Sequence, residues 1–231
     1  MPKWILGLGI LFCPMGAWSA TVPESQCFGL PADGYLEEGW SLPDSGSNFR
    51  VYSTLGWFFG RTYVHSRVQR AILRAYVELE NTNPELRFVY GETGKREGGS
   101  FWPHVTHQNG LSVDFMVPVV DEKGRPSEFP GSWANRFGYD LEFDSRGRWR
   151  QYRIDFEAMS EHLFQLHRAA RKEGIGIRLV IFAPELSQEL FKTRRGKYLA
   201  RQVRFYRRPA RLRHDEHYHV DFHVRCSKER R

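Results

Sequence analysis

Four of the chain's nine histidines fall within ten residues, in HDEHYHVDFH (214–223): His214, His217, His219 and His223. Two more, His104 and His107, stand in HVTHQNGLSVD (104–114), a window closed by Asp114. Imidazole nitrogens and carboxylate oxygens are ligands for a borderline cation such as zinc. Two histidines and one carboxylate leave a fourth tetrahedral position for water, which is the catalytic kind of zinc site rather than the structural kind. Zinc lowers the pKa of such a water to roughly 7 and polarises a carbonyl. A histidine beside the ion but not bound to it can move protons. Taken singly, His65, His162 and His167 read as ordinary core or surface residues, and so does His223. The combination reads otherwise, because six of nine histidines share two windows, each joined to a strand with a polar face.

Those windows need elements to aim them. Strand side chains alternate between faces. A strand over 217–226 puts Tyr218, Val220, Phe222 and Val224 on an apolar face, and His217, His219, Asp221 and His223 on the other. A strand over 111–119 puts Leu111, Val113, Phe115 and Val117 on one face, and Ser112, Asp114 and Met116 opposite. The turn Gln108-Asn109-Gly110 can fold the His107 loop back over Asp114. Glu216, three residues before His219, is a rival base, but on a regular strand it faces away from His219.

The remaining periodicity predicts helices over 64–80 and 155–173, stopped by Asn83-Pro84 and Gly174, and a third opened by Pro184. Short strands are predicted over 86–92 and 177–183, and a hairpin at Ser145-Arg146-Gly147 inside a long loop. Residues 21–60 read as irregular. The loop ETGKREGGS lacks the spacing of a phosphate-binding loop. Helices and strands mix without a βαβ repeat, which predicts an α+β fold. Its centre should be a mainly antiparallel sheet carrying the metal site, flanked by helices and long loops, in one domain over 20–231.

Residues 1–19 read as a secretory signal peptide, with Lys3 ahead of an apolar run and Ala17-Trp18-Ser19 before the cleavage point. A periplasmic or secreted location follows. Removing that segment leaves Cys27 and Cys226, an even pair expected to form a disulfide in an exported protein. The formal net charge is +7. The excess is concentrated in residues 192–213, which carry no Asp or Glu. Export argues against nucleic acid as its partner, so an anionic wall polymer or a membrane surface is expected there.

THQNGLSVD (106–114) and HDEHYHV (214–220) resemble the paired motifs of the penicillin-insensitive murein endopeptidases, members of the LAS group of zinc peptidases. VYGETGKREGGSFWPH resembles that family's Gly-Gly loop, and RLVIFAPELSQEL its strand-Pro-helix element. The likeness spans most of 50–226. It implies one zinc held by His107, Asp114 and His219, with His217 as the catalytic base or transition-state stabiliser. His104 and His214 would line the site and grip substrate or water. The implied reaction is hydrolysis of the D-alanyl–meso-diaminopimelyl cross-link of peptidoglycan, in the periplasm. Ser112 departs from the family, where an LDVD-type loop carries an acid, so a contact behind the metal is expected to be lost. A D,D- or L,D-carboxypeptidase would use the same ligands. A non-catalytic wall-binding module with structural zinc, and a zinc-independent polyanion binder using 192–213, are the readings from other classes.

Overall fold

The two motif strands lie side by side. In the computed structural model, which describes residues 23–208 and 213–228, His217–His223 pairs antiparallel with Ser112–Met116. The register sets His219 opposite Asp114, and Asp221 opposite Ser112. Five strands make the central sheet, in the order Gly176–Ile181, His217–His223, Ser112–Met116, Phe88–Tyr90, Phe49–Val51. All neighbours are antiparallel except the last two, which are parallel. The fold is α+β, as the mixed pattern predicts. The predicted signal peptide lies outside the described residues. No helix among the described residues is long and apolar enough to cross a membrane.

Helices cover one face of this sheet. Ser66–Thr82 buries Val68, Ala71, Ile72, Ala75 and Leu79, the one-sided spacing that makes it amphipathic. It starts two residues later than predicted because Val64 belongs to a short strand and His65 is the cap, its Nδ1 accepting from Arg67 N–H. Phe156–Lys172 is capped by Asp155 and buries Met159, Leu163, Leu166 and Ala170. Each fully buried side chain of Leu or Met size stabilises the fold by roughly 1.5–3 kcal/mol. His162 stacks on Phe88 and meets Phe115 and Tyr218 edge-on, so those strand residues face the helices. Its bland reading therefore holds: it is a core histidine, 2.6 Å from the Tyr218 hydroxyl. Asp114 and His219 consequently face the opposite side, under the loops.

The polar faces of both motif strands are buried, Ser112, Asp114, His217, His219 and Asp221 alike. Loops roof that side, so the polar groups there must satisfy one another. The hairpin of the long loop joins Arg148–Trp149 to Tyr152–Ile154 and turns at Arg150, φ 52°, not at Ser145-Arg146-Gly147. Asp144 accepts from the backbone of Arg146 and Arg148, which turns that segment into a local loop feeding the strand. Residues 21–60 are not irregular throughout. Gln26–Leu30 and Asp33–Glu37 form a hairpin, and Trp40–Ser41 pairs with Tyr63–Val64. The disulfide Cys27–Cys226 is formed and ties this hairpin to the chain beyond the His219 strand. Within the basic stretch, Arg194 and Arg195 pair with Glu161, and Gly196–Gln202 is helical.

Candidate metal centre

Asp114 is the hub. His107 reaches it from the loop, His219 from the neighbouring strand, and both address the same oxygen. Asp114 Oδ1 lies 3.3 Å from His107 Nε2 and 2.9 Å from His219 Nδ1. His217 Nε2 is 3.8 Å from that oxygen. The other oxygen, Oδ2, accepts from the Tyr139 hydroxyl at 3.0 Å and has His104 Nδ1 at 3.8 Å. Ligand atoms of His104, His107 and Asp114 all lie within 4.8 Å of one another, a grouping that could hold a metal ion.

The backbone is shaped to bring them together. His107 sits at φ 70°, a left-handed conformation that a non-glycine residue holds only where its surroundings impose it. Gly94 lets the glycine-rich loop pass under it, because a Cβ there would lie 2.8 Å from the His107 carbonyl oxygen. Gly91 lets Tyr139 reach Asp114, because a Cβ there would lie 2.6 Å from the tyrosine hydroxyl.

One atom tests whether a cation belongs here. His107 Nδ1 is 3.1 Å from the Thr93 carbonyl oxygen, which can only accept, so the ring proton sits on Nδ1. Nε2 then carries a lone pair. It is fully buried, has no hydrogen-bond partner and faces a carboxylate oxygen that also offers lone pairs. Two buried acceptors facing each other are costly unless a cation or proton lies between them. The donor set fits a metal ion. A ligating histidine whose other nitrogen is fixed by a carbonyl or carboxylate is the usual outer arrangement of such a site.

Electrostatics agree. Burial pushes the His107 pKa down and keeps it neutral, as a ligand must be. Burial would raise Asp114, but His107 and His217 hold it well below the ordinary carboxylate range. Burial also opposes charge on His219, yet hydrogen bonds to Asp114 and Asp221 push it up to about 9. For His217, burial is outweighed by Glu216 and Asp114, and its pKa is raised. So much carboxylate around one point invites positive charge, whether protons or a divalent ion.

The other expected residues take distinct places. Glu216 does not point at the centre; its Oε1 lies 2.8 Å from His217 Nδ1, and its Oε2 accepts from Asp215 N–H. The rival base is thus a partner of His217. His104 Nε2 is 2.5 Å from Glu92 Oε2. The His214 ring lies tilted against that of His217, 4.7 Å between centroids. These residues line a cleft of about 1130 Å³ whose rim carries Trp102 and Trp133, each 83% exposed.

Three residues escape sequence reasoning. Tyr139, in the long loop, accepts from Glu92 N–H and donates to Asp114. Glu92 is buried, which raises its pKa, but hydrogen bonds from His104, Arg61 and Tyr52 hold it at about 2. Nothing in the spacing of either residue signals this. Thr93 contributes only its carbonyl, which has no sequence signature. Asp221 was visible on the polar face of its strand, and it meets His219 Nε2 at 2.9 Å. No protein-family model matches this chain, and no curated protein matches it.

Proposed function

We propose that the chain is a secreted zinc peptidase that hydrolyses the D-alanyl–meso-diaminopimelyl cross-links of peptidoglycan. The observation that carries the metal part is the buried, unpartnered Nε2 of His107 facing Asp114 Oδ1. His107, Asp114 and His219 are the proposed ligands, because Tyr139 already occupies the second oxygen of Asp114 and leaves Oδ1 to the ion. Zinc bound there would activate a water and polarise the scissile carbonyl. His217, with Nδ1 held by Glu216, presents Nε2 towards the centre, where it would take a proton from an attacking water and return one to the leaving amine. His104, braced by Glu92, and His214 stand at the cleft wall to receive the substrate. The bond and the wall substrate rest on the resemblance of the two motifs; the signal-like leader and the disulfide accord with a periplasmic setting.

The basic stretch adds a second contact with the wall. Arg201, Arg204, Arg207 and Arg208, with Arg178, line a groove of about 1240 Å³ that has no carboxylate in its lining. An anionic wall polymer suits it by charge.

A second reading has one observation behind it. His104 lies close enough to join His107 and Asp114, and as a further ligand it would close the coordination sphere and make the metal structural. Digestion of purified cross-linked muropeptide dimers separates these readings. Monomers are expected only from zinc-loaded wild type, and not with chelator or with His219→Ala. Release of terminal D-alanine with dimers intact would make the chain a carboxypeptidase. Tightly held zinc with no cleavage at all would leave a structural metal.

A further inference from the structure

His219 is gripped at both ring nitrogens by carboxylates from different strands. Nδ1 faces Asp114 Oδ1, and Nε2 faces Asp221 Oδ1, each at 2.9 Å. If Nδ1 is the nitrogen offered to the ion, the ring proton belongs on Nε2, where only Asp221 receives it. Asp221 is itself held from two sides. The Ser112 hydroxyl donates to its Oδ1 at 2.7 Å, and Arg178 Nη2 donates to its Oδ2 at 3.1 Å. Asp221 and Ser112 are both buried and stand directly opposite each other in the strand pair, two residue pairs along from His219–Asp114 and on the same face.

We infer that Asp221 is the positioning residue for His219, fixing its tautomer and ring direction for the metal, with Ser112 and Arg178 as its anchors. This rests on the metal reading of the centre but not on the peptidase reading. It also changes the meaning of Ser112. A serine at that place does not strip the centre of its outer carboxylate. The acid stands across the ladder instead, on the rung partner, and the serine hydroxyl serves it. Asp221 lies two residues from His219 on one strand and therefore on the same face. Its carboxylate is carried by rigid backbone rather than by a loop.

The purified chain, stripped of metal, is titrated with zinc against a competing chelator, and the zinc-free proteins are melted in parallel. Asp221→Asn keeps the shape and the Ser112 contact but loses the charge. Its zinc affinity is expected to fall about 10–100-fold, the usual loss for a partner of this kind. In zinc-loaded wild type the His219 Nε2 proton is expected to give an exchange-protected NMR signal, and in the variant that signal should broaden or shift. A variant that melts lower yet binds zinc within threefold of wild type would show a merely structural role and overturn the inference. Ser112→Asp/Asp221→Ser moves the acid across the rung and decides the matter if Asp221→Asn does not fold. Affinity within tenfold of wild type is expected for it. A folded double variant binding zinc as weakly as His219→Ala would also overturn the inference. If wild type itself binds no zinc, the metal reading fails and takes this one with it; if wild type binds zinc but cleaves nothing, only the peptidase reading fails.

Discussion

Zinc and protons should compete for one nitrogen, and the competition has a calculable pH dependence. His219 is buried, and the carboxylates of Asp114 and Asp221 overcome that burial to push its pKa from 6.5 up to about 9. A raised folded pKa contributes stability that is fully present below 6.5 and is lost as pH rises through 9. At 1.36 kcal/mol per pKa unit, this contribution to the zinc-free protein is about 3 kcal/mol. A ligating nitrogen carries no proton, so zinc must displace it. Zinc affinity should therefore rise about tenfold per pH unit across that window, or about 100-fold between pH 7 and pH 9. At a fixed free zinc concentration well above the dissociation constant, zinc's contribution to stability grows by about 2.7 kcal/mol over those two units. For a domain of this size that is an increase of roughly 5–11 °C in the zinc-dependent shift of Tm. Thermal unfolding in zinc-buffered and chelator-containing solution, from pH 6 to 9, measures it. The reasoning is refuted if the zinc-dependent shift stays constant across this range, or if His219→Ala shows the same slope as wild type.

Two further outcomes follow from named contacts. His217→Ala should abolish turnover while leaving zinc content unchanged, measured by metal analysis beside the digestion assay; loss of zinc would make His217 a ligand instead. The disulfide closes a loop with a sequence separation of 199 residues. In the chain-entropy account a loop that long is worth about 5 kcal/mol. Cys27→Ser/Cys226→Ser should thus lower unfolding stability by roughly 2–5 kcal/mol in urea titrations. A loss under about 1 kcal/mol would refute the chain-entropy account for this bond.

How much of the site was legible depended on the kind of signal each residue carries. Strand alternation is local and robust, so His217, His219 and Asp221 could be put on one face, and Asp114 on the corresponding face of another strand, from spacing alone. The amphipathic helices were legible for the same reason, and their ends erred by one or two residues, where His65 and Asp155 serve as caps and where the first helix runs on to Thr82. The two cysteines could be paired because the third, Cys13, falls inside the predicted leader. Tyr139 was not legible, because a long loop with positive-φ residues at Arg136, Phe137 and Gly138 has no period to read; Glu92 closes the predicted strand 86–92, and its partners Arg61, His104 and Tyr52 come from distant parts of the chain.

Sequence alone, then, determined which groups were available: two imidazole windows, one acid on each motif strand, and the apolar faces that hold those strands in place. It could not determine which atoms meet. That was decided by the register that sets His219 opposite Asp114 and Asp221 opposite Ser112, and by the loops that roof this face and leave it open only to the cleft. Register is a long-range property, joining residues more than a hundred positions apart, and no local pattern encodes it. Once the face is roofed, each buried polar atom needs a partner, and Nε2 of His107, buried without one and facing Asp114 Oδ1, is the atom on which the proposed cation site rests.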